Sequence, residues 1–197
     1  MSRRSILVLV IASAVLVGFA FAALAERERG TTVSLSGGDT AAKPQSADLD
    51  WSEAQGKKGE RVVFGVKRFQ VLPNGWKARI TLGNDSRVAF ALDRSSRWFG
   101  LMLFTSGVHS DLDERNAKQD LPALRQALAF EPELPTTLDP HTTWSGTMSA
   151  RGPLVAGSFV RFVFGTLDPI GKAPESLPPR LIWITDNAYR LKSKGPG

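Results

Sequence analysis

The sequence predicts a mostly β chain: an antiparallel β-sandwich of about seven or eight strands, with one short helix in a long connection, preceded by an N-terminal transmembrane helix. Three observations lead there. From Arg61 onward apolar residues recur at every second position, the period of a half-buried strand, and the runs end at Gly, Pro, Asn or Asp. No helical pattern alternates with those runs, so the βαβ rhythm of a parallel sheet is missing. Finally, residues 5–25 carry no charge at all.

That uncharged stretch, SILVLVIASAVLVGFAFAALA, lies between Arg3-Arg4 and Glu26-Arg27-Glu28-Arg29. As a helix it is about 31 Å long, enough to cross the hydrocarbon core of a bilayer. Arg3 and Arg4 hold the N-terminus in the cytoplasm by the positive-inside tendency, which puts everything after residue 30 outside. Two readings of residues 5–25 stand open. Ala23-Leu24-Ala25 has the A-x-A form of a cleavage signal, which gives a secreted or periplasmic protein starting after Ala25. The apolar run exceeds the roughly 7–15 residues usual for a cleaved signal, which favours an uncleaved single-pass anchor in the cell membrane. Ser2-Arg3-Arg4-Ser5 also resembles a twin-arginine export signal.

Residues 26–60 read as a flexible linker. From Gly30 to Glu60 small and polar residues dominate, with only Val33, Leu35, Leu49 and Trp51 as larger apolar ones. A coil of that length spans on the order of 30 Å and holds a domain clear of the lipid. The alternative is that the part around Leu49 and Trp51 packs on the domain as an extra strand. The domain itself is placed at residues 61–192, with 193–197 as a tail.

Within the domain, Val62, Phe64 and Val66 alternate with Val63, Gly65 and Lys67. The phase slips near Lys67-Arg68 before Phe69 and Val71 continue, as a β-bulge would cause. Pro73-Asn74-Gly75 is a turn signal. Trp76, Ala78, Ile80 and Leu82 share the next buried face, opposite Lys77, Arg79 and Thr81. Gly83 to Ser86 turns the chain into Val88, Phe90 and Leu92. Residues 98–105 (WFGLMLFT) are apolar on both faces, which predicts a central strand. Further strands are read at 143–150, 158–166 and 180–185, with a short one from Tyr189 to Lys192.

Residues 106–142 lack strand signals and exceed ordinary loop length. Asp120 can cap a helix, Pro122 suits a first turn, and Leu121, Leu124 and Leu128 fall on one stripe, so a short helix is predicted up to Phe130. It reads either as a plug at the open end of the sandwich or as a lid that touches a partner through those three leucines. The antiparallel succession of strands fits an immunoglobulin-like sandwich, with a jelly roll or small barrel as the alternative.

An N-terminal membrane segment, a low-complexity tether, the strand-and-turn Ile80 to Ser86 (ITLGNDS) and Gly146 followed by Val155-Ala156-Gly157 and a strand from Ser158 to Phe164 form one layout. It resembles the telokin-like, immunoglobulin-like domains of bacterial membrane-tethered extracytoplasmic proteins, over residues 61–166. The resemblance implies a binding or assembly role. The lipid-bearing Cys of such proteins is missing, and the 106–142 segment is a departure.

Composition narrows the chemistry. The chain has no Cys, which excludes disulfide scaffolds, thiolate zinc sites and cysteine nucleophiles, and its two His leave little for a transition metal. His109-Ser110-Asp111-Leu112-Asp113-Glu114 is the densest polar cluster, but its spacing fits no Ca²⁺ loop. A Ser/His/Asp set could be composed around His109 or His141, yet no G-x-S-x-G elbow is present, so a hydrolase is a remote alternative. No catalytic, metal or cofactor residue is assigned, and no cofactor is expected.

Charge is the positive clue. The chain has 25 basic and 19 acidic residues, and residues 61–197 hold 18 of the basic and 12 of the acidic ones, so the whole excess of +6 lies in the domain. Lys67, Arg68, Lys77 and Arg79 flank the Pro73-Asn74-Gly75 turn and form a candidate binding patch for an anion or a partner. Trp51, alone among the five Trp, stands outside the apolar strands and is a candidate partner contact. Trp76, Trp98, Trp144 and Trp183 read as core. The function expected is therefore a non-catalytic binding or assembly module of a cell-envelope complex, with another envelope protein as partner. The alternative is a binder of anionic lipid or wall polymer. Nucleic acid is not expected as a partner outside the membrane.

Overall fold

The computed structural model describes residues 40–92 and 98–193. The segment 5–25 lies outside them, as do residues 26–39; among the described residues no helix is long and apolar enough to cross a membrane. The domain is mostly β, with antiparallel sheets and one helix. In chain order the elements are β1 (Gln45–Gln55), β2 (Val62–Leu72), β3 (Gly75–Asn84), β4 (Phe90–Leu92), β5 (Gly100–Phe104), α1 (His109–Ala117), β6 (Arg125–Gln126), β7 (Ala129–Glu131), β8 (Thr137–Leu138), β9 (Thr143–Arg151), β10 (Phe159–Pro169), β11 (Leu181–Ile184) and β12 (Tyr189–Arg190).

The first sheet has the order β1-β2-β3-β9-β7. The second runs β6-β5-β10-β4-β8, with β11 and β12 also paired to β10. The strands seen in the sequence are present, the last shortened to β12, and three further ones of two or three residues (β6, β7 and β8) are too brief to show a period. The slip of phase is a bulge: the β2–β3 register shifts between Val66 and Arg68, which turns both Lys67 and Arg68 outward. Pro73 and Asn74 form the turn between Leu72 and Gly75, which pair. Gly75 is required there because a Cβ would lie 2.4 Å from the Ala150 carbonyl oxygen on β9.

The inner faces of the two sheets meet in one apolar core. Phe64 of β2 lies 4.9 Å from Phe164 of β10, and Phe69 meets Phe162 edge-on at 5.3 Å. Trp76, Ile80 and Leu82 are fully buried beside them. Each such side chain contributes about 1.5–3 kcal/mol by leaving water.

The second sheet is buried on its other face too. Trp98, Met102, Phe104 and Val163 pack there against Leu112 of α1 and Leu121 beyond it. This second core explains why residues 98–105 and 158–166 are apolar on both faces: the connection 107–124 covers them.

Three expectations are corrected. The segment 26–60 is not a linker throughout, because Gln45–Gln55 forms edge strand β1, paired with β2 along its length. The signal was alternation: inward Leu49, Trp51 and Glu53 are half-buried, while Asp48, Asp50 and Ser52 are exposed. The helix is not at 120–130 but at His109–Ala117. It buries only Leu112, so no apolar stripe announced it; pairs at i, i+4 support it instead, Asp111 with Arg115 and Glu114 with Lys118. Gln119, at φ 55°, ends that turn. Where the leucine stripe predicted helix, the chain is extended, because Arg125 and Gln126 pair with Leu101 and Gly100 on the edge of β5. The connection therefore neither plugs an end nor stands free as a lid; it lies across the face of the second sheet.

Candidate functional site

The outer face of the first sheet is polar and open. Along β3 the outward positions are Lys77, Arg79, Thr81 and Gly83, between fully buried Ala78, Ile80 and Leu82. Register then fixes what stands beside them. Arg79 pairs with Arg68 on β2 and with Thr147 on β9. Beyond Arg68 comes Asp48 on β1, and beyond Thr147 comes Glu131 on β7. The row across the sheet is thus Asp48, Arg68, Arg79, Thr147, Glu131. Lys77 pairs with Gln70 and with Ser149.

Of the four predicted cations, two are paired. Arg68 donates through Nε and Nη2 to the two carboxylate oxygens of Asp48, at 2.6 and 3.0 Å, and Lys67 Nζ lies 3.4 Å from Asp50. The hydrogen bond from Arg68 holds the Asp48 carboxyl below the usual carboxylate range. Lys77 and Arg79 are exposed, and among the described residues their side chains form no hydrogen bond or ion pair. Two arginines directly opposite each other repel, and only one has its counter-ion.

At one end this face deepens into an open cleft of about 440 Å³. Thr81, Gly83 and Thr143 lie on its sheet floor, and Arg61, Asp85 and His141 also line it. Arg61 Nε is 3.4 Å from Asp85. Asn84, which is 2% exposed, holds the surrounding segments together. Its side-chain amide donates to the carbonyls of Val88, Leu138 and Asp139, its Oδ1 accepts from the amide and hydroxyl of Ser86, and its backbone N–H donates to Thr142. The turn that follows puts His141 in the left-handed region at φ 56°, uncommon for any residue but glycine.

A second polar cluster lies on the far side, where β1, α1 and the β11–β12 corner meet. Glu53 accepts from Trp183 Nε1 (2.6 Å), from the backbone amides of Asp186 and Asn187, and from the Asn187 side chain. Arg161 is buried and donates to the carbonyls of Gly107, Val108, Thr185 and Asp186, with its guanidinium 5.5 Å over the Phe104 ring. Burial lowers its pKa, and the carboxylates of Asp186 and Glu53 oppose that. Burial, then Glu53, pushes the Asp186 carboxyl up. His109 lies 3.8 Å from Asp113 and 3.7 Å from Asp186. Among the described residues no three His, Cys, Asp or Glu side chains are arranged to hold a metal ion. The contacts here tie α1 and the β11–β12 corner to the sheets. The hint in the sequence was a single Arg inside the apolar run SFVRFVFGT.

The other predicted contacts divide. Trp51 is half-buried, meets Phe162 edge-on at 6.1 Å and packs against the core. Leu121 is buried and Leu124 half-buried in the second core, for the reason that the stripe is not a helix surface. Leu128 alone is open, 71% exposed. Its amide bonds to Ser149, the residue that pairs with Lys77, so it borders the basic face.

Comparison with known proteins returns no match, whether against family models, curated proteins or solved structures.

Proposed function

We propose that the chain is a non-catalytic, membrane-tethered extracytoplasmic binding and assembly module of the cell envelope. In this reading residues 5–25 hold it in the membrane and a domain of immunoglobulin-like sandwich architecture carries the contact face outside. The observation that carries the proposal is the pair Lys77 and Arg79. They stand on the central strand of an uncovered face, without counter-ions among the described residues, and Arg79 lies opposite Arg68, whose own counter-ion Asp48 is already taken up. The fold gains nothing from that arrangement, since like charges opposite each other weaken a sheet. An anionic partner would relieve it.

The test is photo-crosslinking of the full-length protein in its native envelope, with the crosslinker placed at position 79 or, on the far side, at position 114. The expected result is an adduct with an envelope component from position 79, weakened by salt, and none from position 114. Adducts from 114 alone, or from 79 without salt dependence, overturn it.

A further inference from the structure

The basic face and the cleft form one feature. On β3 the outward residues Lys77, Arg79, Thr81 and Gly83 follow each other every second position, a step of about 7 Å and a line of about 20 Å. The chemistry changes along it, from cations unpaired among the described residues at one end to hydroxyls over glycine at the other, where the charges present, Arg61 and Asp85, are paired with each other. Gly65 of β2 pairs with Thr81, which pairs with Ser145 of β9, and Gly83 pairs with Thr143. A Cβ on Gly65 would lie 2.3 Å from Thr81 Oγ1, and one on Gly83 would lie 3.4 Å from Thr143 Oγ1. Glycine at position 65 keeps the Thr81 hydroxyl in position, and glycine at position 83 keeps the floor low.

The direction of a bound chain follows from the charges. Across the sheet, the row that contains Arg79 ends in Asp48 on one side and Glu131 on the other. An extended anion lying across the strands would meet a carboxylate at each end. Lying along β3 it meets Lys77, Arg79 and then the cleft. Hot spots of protein interfaces are aromatic and arginine side chains seated in desolvated pockets, whereas Lys77 and Arg79 stand exposed on the open sheet face, outside the cleft. A compact anion needs donors that converge on one point, whereas Lys77 and Arg79 are successive.

We propose that the outer face of β3 is a track for a single strand of a linear, hydroxyl-rich polyanion, such as an acidic glycan or a polyol phosphate. Lys77 and Arg79 engage successive negative groups, and the cleft floored by Gly83 takes an uncharged, hydroxyl-bearing unit through Thr81 and Thr143. This rests on the reading of the basic face as the contact face and adds its ligand class and direction.

The test is binding of the full-length protein in zwitterionic nanodiscs to polygalacturonate and to polyglycerol phosphate, each as oligomers of graded length, with dextran and phosphatidylglycerol vesicles as comparisons. Arg79→Glu is expected to lower affinity about tenfold or more, the loss of one charge-assisted contact. The pair Thr81→Val and Thr143→Val keeps shape and strand propensity and is expected to lower it about fivefold, the loss of two neutral hydrogen bonds. Affinity is expected to rise with oligomer length until about 20 Å is spanned. Tighter binding of either polyanion supports the proposal and names its source. Loss with Arg79→Glu but no response to the threonine pair or to length overturns the track while the basic-face reading stands. Indifference to all variants overturns both. Binding only to the vesicles, or displacement of both polymers by an acidic envelope protein, overturns the polymer assignment.

Discussion

The two outer faces of this domain are built from the same kind of strand and treated in opposite ways. On the first sheet the outward residues of β3 are Lys77, Arg79 and Thr81, and nothing covers them among the described residues. On the second sheet the outward residues Trp98, Met102, Phe104 and Val163 are apolar and lie under α1 and Leu121. Each face follows its own sequence period: alternation where water is the neighbour, apolar on both sides where another layer is. The comparison teaches that this chain spent its one long connection on closing the second sheet and left the first exposed. That exposed face, which holds cations without helping the fold, is the one the proposed function uses.

The largest effect belongs to the covered side. Met102→Ala opens a cavity in the second core and is expected to cost about 2–5 kcal/mol in urea unfolding. A cost near zero would mean that the connection does not seal that face. Next comes Arg161→Met, which keeps the volume but leaves four carbonyls around Gly107, Val108, Thr185 and Asp186 without their donor. About 2–3 kcal/mol is expected, with faster amide exchange in α1 than in β3. On the open side Lys77→Ala and Arg79→Ala are each expected to shift stability by less than about 0.5 kcal/mol, because exposed substitutions away from special contacts do little. A large loss there would make these cations structural and remove them from the binding argument.

The smallest effect separates two aspartates by sign. Asp48, on the open side, has its pKa lowered by Arg68. Its contribution is present above the unfolded-state value and is lost as pH falls through the folded one. Asp186, on the covered side, is shifted upward by burial and by Glu53. Its contribution is present below the unfolded value and is lost as pH rises through the folded one. Asp186→Asn should therefore stabilise the protein at neutral pH and lose that advantage in acid, whereas Asp48→Asn should destabilise at neutral pH and become harmless in acid. Chemical unfolding of both variants at pH 7 and pH 3 reads the crossing directly; two variants of like sign would refute it.

Much of this was legible in the chain. The alternation Trp76 to Leu82, the bulge at Lys67 and the turn at Pro73-Asn74 were local patterns, and local patterns survive folding because each strand answers to one buried face. The candidate site was half legible. Lys77 and Arg79 could be placed on one outward face by parity alone. That Arg68 and Lys67 are taken up by Asp48 and Asp50 could not, because even where a strand around Leu49 and Trp51 was one of two readings, its register against β2 was set only by folding. Nor could the cleft be foreseen, since Asn84 draws together segments more than fifty residues apart through the carbonyls of Leu138 and Asp139.

By itself, then, the sequence determined a β-rich domain with its charge excess outside an apolar core, because two-residue periodicity and turn chemistry are properties of neighbours along the chain. Tertiary structure decided which cations remain unpaired, which way the leucines at 121, 124 and 128 face, and where the helix falls. Those outcomes depend on register between strands and on which layer lands over which face. Both are contacts between residues far apart in sequence, and no window along the chain contains them.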